Sequence, residues 1–518
     1  MARNDTTNFI VNEFVGMDMS KGPALIDANH AQVALNVSTD DGNLRTVRED
    51  VALHYDEDEL VLDIGVVNAY ASDAGDGIDP PYELLIVVKE DAVYASEDGV
   101  TLKKICEYAE AEETRVFKGL YGTATYFIGD EAYGFFCTGK RGKITGDTQA
   151  SDAGNSVWYI KTSKYESGDP LPLATAITLP TLIVDKDWQD YRLMASHRDR
   201  LFLSGNPAAP YNIIYSEGGD PTQFDDSGFA LDDPARPGTF DVANLDIGHV
   251  VGIYAAFDEL VILCANGAAR LTGYNPNDFA LTVIPCGLKP YGGRFGLAIL
   301  SGRVYVPCQE GLCIYNGARI SLMEQSKMIR LSVAREAFAY NNNLYLQTTL
   351  SEIICLVYNP VRDSFVMLVN ITPRAILNGA LLSTSGFTID EVSGTTGGIF
   401  SAFVGDGWRY CMWFSGEIFS LAANARKRIT RMYGVGDGYD KVDTSLSINI
   451  LAYKRNNPKL KMRDLILQHH THFNKRINTN GDAISFFITN YALTDESLTF
   501  RGFTISGGLQ FEIELEEM

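Results

Sequence analysis

The sequence lacks the short motifs that mark most metal-binding and catalytic proteins. Its eight cysteines are scattered, with no Cys-x-x-Cys pair to indicate zinc or a dithiol redox centre. It also contains no Gly-x-x-x-x-Gly-Lys-Ser/Thr, Gly-x-Ser-x-Gly or His-Glu-x-x-His. These absences remove the usual signatures of nucleotide hydrolysis, serine hydrolysis and zinc proteolysis. We therefore expect buried free thiols, no cofactor and no enzymatic activity.

Long apolar runs and an excess of basic residues are missing as well. No stretch approaches the roughly 20 apolar residues of a membrane span, and residues 1–8 are too polar for a secretory signal. The net charge of the 518 residues is −23, which argues against gripping nucleic acid over the whole surface. We expect no membrane span, and an acidity that either serves solubility or lets DNA pass through a channel without being held.

Two acidic loops and a histidine cluster come nearest to a metal site. Residues 73–79 and 437–443 place carboxylates at spacings that calcium tolerates, but neither loop has the glutamate that closes an EF-hand. His469, His470 and His472 lack a suitable further ligand nearby. Surface turns and a solvated or interface cluster account for these residues, so we predict no metal.

The chain is rich in β-strand patterning. It has 26 Tyr and 26 Phe, residues that favour strands. The clearest unit is residues 197–224, where two β-rich runs flank a Gly-Asn-Pro-Ala-Ala-Pro break and precede a Gly-Gly-Asp-Pro turn, which predicts a hairpin. Similar paired runs occur at 83–88 and 92–95, 123–128 and 132–136, 259–265 and 268–272, 302–307 and 312–315, 343–348 and 353–358, and across 399–421.

Several of these hairpins begin roughly 40 to 45 residues apart, the period of four-stranded propeller blades. Closing blades into a ring buries their faces and removes exposed edges. We therefore predict an all-β fold, a β-propeller of six or seven blades over residues 60–423. An N-terminal arm and strand would occupy 1–59, and a basic insertion with C-terminal strands, a β platform, 424–518. A stack of sandwich domains is the alternative.

Residues 424–476 differ in charge from the rest of the chain. They carry twelve Lys or Arg against four Asp or Glu, a local charge of +8 that leaves −31 elsewhere. Docking onto an acidic subunit, contact with DNA phosphates and a plain solvated face would each fit. We nominate six subunit-docking residues, namely Arg426, Lys427, Arg428, Arg431, Lys454 and Arg455. The tail beyond them either closes the ring or forms a platform with the N-terminal arm.

Short motifs in the first two thirds of the chain form a further pattern. The N-terminal ones are Phe14-Val-Gly16, Pro23, Gln32, Leu35-Asn36-Val37, Asp41-Gly42-Asn-Leu44 and Arg48. The later ones are Arg200-Leu-Phe-Leu-Ser-Gly205, the run from Tyr215 to Phe224, Cys286-Gly-Leu288 and Gly311-Leu-Cys-Ile-Tyr-Asn-Gly317. Together they resemble the tail nozzle proteins of short-tailed bacteriophages, also called packaged-DNA stabilisation or tail tubular B-like proteins. The resemblance touches most of residues 9–320.

This resemblance implies a structural virion protein in which no residue is catalytic. It implies a homohexameric ring in the tail, assembled in the host cytoplasm, that extends the DNA channel, retains the packaged genome and allows its ejection. The expected partners are copies of the chain, the tail adaptor above, tail fibre or needle proteins, and double-stranded DNA in transit. Two alternatives stay open: a propeller module of a tail fibre that recognises a host glycan, and a glycan-processing enzyme, which fold alone does not exclude.

Overall fold

In the computed structural model, the regular secondary structure of the described residues is almost entirely β-strand. The structure describes residues 5–18, 26, 29–47, 51–56, 61–69, 82–89, 91–108, 119–129, 131–139, 156–163, 174–176, 190–324, 326, 334–348, 354–369, 371–385, 398–402, 410–415, 425–438, 444–454, 457–467, 471–481, 483–490 and 503–517. Helical structure within these ranges is limited to short 3-10 turns, at Ala243–Leu245 and at Glu324 and Ser326. No helix in the described part of the chain is long and apolar enough to cross a membrane.

Six strands come first along the chain. They are β1 (Asp5–Val11), β2 (Gly16–Met17), β3 (His30–Leu35), β4 (Val37–Ser38), β5 (Leu44–Thr46) and β6 (Val51–Asp56). Only β6 belongs to the propeller. The other five strands pair with one another or with later strands outside the blades, and one of them also pairs with the outer strand of a blade.

Seven four-stranded antiparallel units follow, and they are the blades of a propeller. Blades 1 and 2 contain β7 (Val61–Ala69), β8 (Tyr82–Lys89), β9 (Ala92–Ser96), β10 (Lys103–Glu107), β11 (Gly122–Ile128), β12 (Glu131–Cys137), β13 (Val157–Ser163) and β14 (Thr175–Ala176). Blades 3 and 4 contain β15 (Leu193–His197), β16 (Arg200–Ser204), β17 (Asn212–Tyr215), β18 (Gly238–Asp241), β19 (Val250–Ala256), β20 (Glu259–Cys264), β21 (Gly267–Thr272) and β22 (Ala280–Ile284).

The remaining blades complete the ring. Blade 5 contains β23 (Ala298–Leu300), β24 (Arg303–Cys308), β25 (Gly311–Tyr315) and β26 (Ile320–Leu322), and blade 6 contains β27 (Ala334–Tyr340), β28 (Asn343–Thr348), β29 (Ile354–Asn359) and β30 (Ser364–Val369). Blade 7 contains β31 (Pro373–Leu377), β32 (Ala380–Ser385) and β33 (Gly398–Ala402), with β6 as its fourth strand.

Strand β6 closes the propeller by joining its first and last blades. It precedes blade 1 in sequence but pairs antiparallel with β33 of blade 7, with Tyr55 opposite Ile399. Side chains of blades 7 and 1 also share one apolar cluster that includes Ile64, Leu85 and Leu377. Comparable clusters join the other neighbouring blades. Ring closure therefore rests on main-chain hydrogen bonds as well as on burial of apolar surface.

A β-sandwich is fused to blade 6. Its strands are β34 (Met412–Ser415), β35 (Ala425–Gly438), β36 (Thr444–Lys454), β37 (Asn457–Leu467), β38 (Thr471–Gly481), β39 (Ala483–Thr489) and β40 (Phe503–Glu517), together with β1 to β5. One sheet continues blade 6 through β3, β34, β39, β36 and β37 and has β2 beside β3, which makes ten strands. The other sheet has the order β38-β35-β40-β5-β4 with β1 beside β40. The rings of Phe486 and Phe511, one from each sheet, lie 5.2 Å apart in the core.

The all-β propeller and the platform are confirmed, with seven blades. The C-terminal tail forms a platform with the N-terminal arm and does not close the ring of blades, because β1 pairs with β40, with Asp5 opposite Leu515. Within the predicted region 399–421, β33 and β34 belong to different sheets, and residues 416–421 lie outside the described residues. Strand β6 lies within the predicted arm 1–59 but joins blade 7, and β34 lies within the predicted propeller range 60–423 but joins the sandwich.

Candidate functional site

Four of the six nominated docking residues lie on one strand. Strand β35, 14 residues long, carries Arg426, Lys427, Arg428 and Arg431 and runs between β38 and β40. Lys454 is the last residue of β36 in the opposite sheet, and Arg455 lies outside the described residues. The nominated residues are thus divided between the two layers of the sandwich.

The basic strand β35 is paired along its length with an acidic one. In the register of β35 and β40, Arg426 faces Glu516 and Arg428 faces Glu514. Arg428 Nη1 lies 3.4 Å from Glu514 Oε2, and its Nε and Nη2 donate to Asn478 Oδ1 at 2.9 and 2.8 Å. The charge of Arg428 is therefore largely balanced inside the chain.

Arg431 faces the third glutamate of this ladder but stays accessible. Arg431 is opposite Glu512 in the register of β35 and β40, and it is exposed. Glu512 accepts hydrogen bonds from Tyr433 Oη at 2.8 Å and from Thr430 Oγ1 at 2.9 Å. These bonds, with a smaller contribution from the charge of Arg431, lower the pKa of Glu512. Arg431 is thus the nominated residue best placed to reach a partner.

The docking assignment is wrong for Lys427. Its relative exposure is 0%, on the face of β35 that also buries Ile429. Successive residues of a strand point to opposite faces, so the contiguous Arg426-Lys427-Arg428 run cannot form one surface patch. The alternation places Lys427 in the sandwich interior, out of reach of another subunit.

Two basic residues that were not nominated lie on the neighbouring edge strand. In β38, Lys475 and Arg476 are exposed while Phe473 and Ile477 are buried. Arg476 faces Arg431 in the register of β35 and β38. We call Arg431, Lys475 and Arg476 the basic edge. Their positions could have been found from the spacing of the two apolar residues within the basic segment.

A second concentration of charge lies at the propeller axis. Asp63, Glu336 and Arg374 lie on the innermost strands of blades 1, 6 and 7, and Arg294 lies in the connection that leads into the innermost strand of blade 5. Asp63 Oδ1 is 3.8 Å from Arg294 Nη1 and 3.7 Å from Arg374 Nε. Arg374 Nη1 is 2.5 Å from Glu336 Oε2. These four residues, here called the axial cluster, are missing from the sequence predictions because they are far apart in the chain.

Arg294 also holds main-chain groups of two other blades. It donates from Nη1 to the Ile64 carbonyl at 2.7 Å and from Nη2 to the Arg374 carbonyl at 3.0 Å. Asp63 Oδ2 accepts the Leu120 N–H at 3.1 Å. Burial lowers the pKa of Arg294 to about 10, because desolvation of the guanidinium outweighs the attraction of Asp63. The side chain therefore remains charged at neutral pH and acts as a cross-blade tie.

A cavity of about 410 Å³ lies beside this cluster along the axis. The inner strands β11, β15 and β19 line it, with hydroxyl groups from Thr123, Thr125 and Ser196 and the guanidinium of Arg294. Among the described residues that line it there is no Asp or Glu. Glycoside hydrolysis ordinarily needs a pair of carboxyl groups on either side of the scissile bond, and this lining does not supply one.

The cysteines and histidines present no metal site in the described part of the chain. All eight cysteines are free, and burial raises the pKa of five of their thiols to about 12, namely Cys106, Cys137, Cys264, Cys355 and Cys411. No cluster of three potential ligands occurs within the described ranges. His472 is exposed on β38, whereas His469, His470 and residues 73–79 and 439–443 lie outside those ranges.

Comparisons with known proteins give only distant similarity. No protein-family description matches the chain, and no curated protein does so. Among solved structures, the AfRom2 CNH domain is 8% identical over 68% of this chain and 98% of its own, with a TM-score of 0.37.

Two further solved structures are similar at the same low level. The extracellular domain of a putative hybrid two-component system from B. thetaiotaomicron is 10% identical over 81% of this chain and 47% of its own, with a TM-score of 0.39. An exo-β-1,3-galactanase from Phanerochaete chrysosporium is 10% identical over 86% and 98%, with a TM-score of 0.24. Likeness at this level does not bear on function.

Proposed function

We propose that this chain is a non-catalytic building block of a ring, the nozzle subunit of a short-tailed phage. In that role it extends the DNA channel below the tail adaptor, helps retain the packaged genome and allows its ejection. The resemblance of the N-terminal and propeller motifs supports the phage assignment. The distribution of charge supports the ring.

The observation that carries the proposal is the basic edge on an otherwise acidic chain. Arg431, Lys475 and Arg476 are exposed, while the residues outside 424–476 together carry −31. A basic face that meets an acidic face of the next copy is a heterologous contact, and such contacts build rings when the rotation closes. Opposite charges also steer the encounter.

The edge position of β38 makes side-chain contact more favourable than strand addition. An unpaired edge strand invites another chain to add to the sheet, and lysine on the edge opposes this. The register of β38 against β35 also shifts between Arg431 and Ile429, where Asn478 has a φ of 55°. This irregularity disfavours a regular ladder. A docking surface of charged side chains is what this edge offers.

The rigid connection between the two parts suits a load-bearing subunit. The ten-stranded sheet joins one layer of the sandwich to blade 6 through main-chain hydrogen bonds. The layer that bears the basic edge packs on this sheet through the apolar core, so force on the edge passes through that core into the propeller. The axial cluster then ties blade 5 to blades 1 and 7. A nozzle that holds DNA under pressure needs such connections, whereas an enzyme does not require them.

A glycan-binding propeller is the second candidate. It is favoured by a pocket on one face of blades 2 to 4 that is flanked by exposed aromatic rings. This candidate does not require a ring, and the two functions are compatible in one virion protein.

Negative-stain electron microscopy of the purified full-length protein tests the proposal. Class averages should show rings with a central hole, and the same rings should be recognisable in the tail of the virion. A subunit that stays monomeric at all concentrations, or one that releases sugar from a polysaccharide, would contradict it.

A further inference from the structure

A pocket of about 530 Å³ lies on one face of the propeller. This face bears the turns between the first and second strands of the blades. The pocket lies where blades 2, 3 and 4 meet. Its walls include Phe127, the Arg198-Asp199 turn between β15 and β16, and Tyr274, which follows β21. Its volume is within the range of small-molecule sites. This pocket is separate from both the axial cluster and the basic edge.

A buried arginine shapes one wall of the pocket. Arg200 is 2% exposed, and its guanidinium donates to the carbonyls of Ser216 and Pro234 at 2.5 Å and of Arg236 at 3.0 Å. These bonds fix the connection between β17 and β18. Gly219 lies in this connection, and its N–H donates to the Asp199 carbonyl at 3.0 Å. The wall is therefore fixed before any ligand arrives, which lowers the entropy cost of binding.

Arg198 supports the ring of Tyr274 at the pocket. Its guanidinium lies 3.6 Å above the ring of Tyr274, and Nη2 donates to the Asp258 carbonyl at 2.9 Å. Nε and Nη1 are buried, so these two donors are not accessible to a ligand. The guanidinium therefore holds one face of the ring and leaves the other face toward solvent.

The backbone at this corner is a two-residue hairpin turn. Arg198 and Asp199 have φ values of 47° and 53°, which a type I′ turn between the paired residues His197 and Arg200 requires. The turn presents the Arg198 guanidinium to Tyr274 and leaves Asp199 exposed beside it.

The chemistry of the pocket fits a sugar better than an ion. Tyr274 is 68% exposed and Phe127 is 42% exposed, so the pocket presents aromatic surface to the C–H face of a pyranose ring. The exposed carboxylate of Asp199 offers acceptors for its hydroxyl groups. Because Arg198 already pairs with Asp258 at 2.5 Å, an anion would gain little there. We propose that this pocket binds one or two units of a neutral glycan.

Saturation-transfer NMR on the full-length protein tests the proposal. The probes are cellobiose, maltose, lactose and diacetylchitobiose, with sialyllactose as the charged alternative. At least one neutral disaccharide should receive saturation. Its affinity should fall about tenfold in Tyr274→Ala and in Phe127→Ala. Tyr211→Ala is the matched control, because Tyr211 is 39% exposed but does not line the pocket.

The outcomes separate this inference from the proposed ring function. Failure of all four neutral probes, binding of sialyllactose alone, or equal affinity in Tyr274→Ala and Tyr211→Ala would each overturn the glycan site. None of these results bears on whether the protein forms rings. Thermal melting of each variant, compared with the parent, shows whether a loss of fold is the cause of a lost affinity.

Discussion

The axial cluster and the basic edge use the same residue types in opposite ways. At the axis, Arg294 and Asp63 have side chains only 11% and 13% exposed, and both bond groups from other blades. At the edge, Arg431 and Lys475 are exposed. Buried charges are costly to leave unpaired, whereas exposed ones contribute little to folding. The axis therefore holds the fold together, and the edge is free to meet a partner.

The glutamates of β40 explain why only part of the basic segment is free. Arg428 is balanced by Glu514 and Asn478, and Lys427 is inside the sandwich. Net charge alone would have assigned the same role to all the basic residues of the segment 424–476. Which arginine can dock is decided by the face of the strand and by the strand next to it.

The largest effect should come from removing the axial tie. Arg294→Met leaves Asp63 with a weaker partner and frees the Ile64 and Arg374 carbonyls, so we expect a loss of about 3 kcal/mol in the free energy of unfolding. Denaturant titration of the isolated protein measures it. Arg335→Met is the control, because Arg335 is exposed on the neighbouring inner strand. Equal stability of the two variants would mean that the axial cluster does not stabilise the propeller.

A smaller loss should follow from crowding the same tie. A Cβ on Gly65 would lie 2.6 Å from Arg294 Nη2 and 2.5 Å from Leu120 Cδ2, so Gly65→Ala should cost about 2 kcal/mol. Gly434→Ala in the sandwich is the comparison, because the three atoms nearest to its new Cβ all belong to the buried ring of Phe473 on the edge strand β38. We expect a loss of about 2 kcal/mol or more there, since a buried ring yields less easily than the ends of flexible side chains. A clearly smaller loss in Gly434→Ala than in Gly65→Ala in a melting experiment would contradict the comparison.

The sequence predicted local pairing well and distant pairing poorly. Most of the hairpins were found because both strands and their turn lie within one short stretch, as in β20 and β21 around Gly267. Strand β6 was assigned to the arm, because nothing near residue 51 indicates that it pairs with residue 402. Pairing over such distances depends on ring closure, which no local pattern encodes.

The candidate sites were predicted only in part for the same reason. The basic segment was visible as a charge excess, but the burial of Lys427 depends on the register of β35 against β40. Arg294 and Ile64 are 230 residues apart, so the axial cluster had no sequence signal. The pocket beside Arg198 combines three blades in a similar way.

A pH experiment distinguishes the half-buried His197 from the exposed charges. Burial lowers the pKa of His197 from 6.5 to about 4, with help from the charge of Arg198. The unfolded chain therefore binds this proton first as pH falls, and stability is lost between pH 6.5 and about 4. His197→Gln should reduce that loss by about 1 kcal/mol, because the imidazole is partly solvated. Parallel pH profiles of parent and variant would refute this assignment.

The smallest effect on folding should come from neutralising the basic edge. The triple variant Arg431→Gln, Lys475→Gln and Arg476→Gln removes three exposed charges without placing a carboxylate beside Glu512. We expect its unfolding free energy to stay within about 0.5 kcal/mol of the parent, as measured by denaturant titration. A matched control removes three exposed charges of the propeller through Lys289→Gln, Arg303→Gln and Arg319→Gln. A loss of several kcal/mol in the edge variant alone would place these residues in the folding core.

Sedimentation velocity of the parent, the edge variant and the propeller control tests the central claim most directly. If the basic edge joins neighbouring copies, the parent and the propeller control should sediment as rings at low ionic strength, and the edge variant as a folded monomer. The rings should also weaken as salt is added, because the contact is electrostatic. Rings formed equally well by the edge variant and the parent would contradict the claim, as would a parent that remains monomeric.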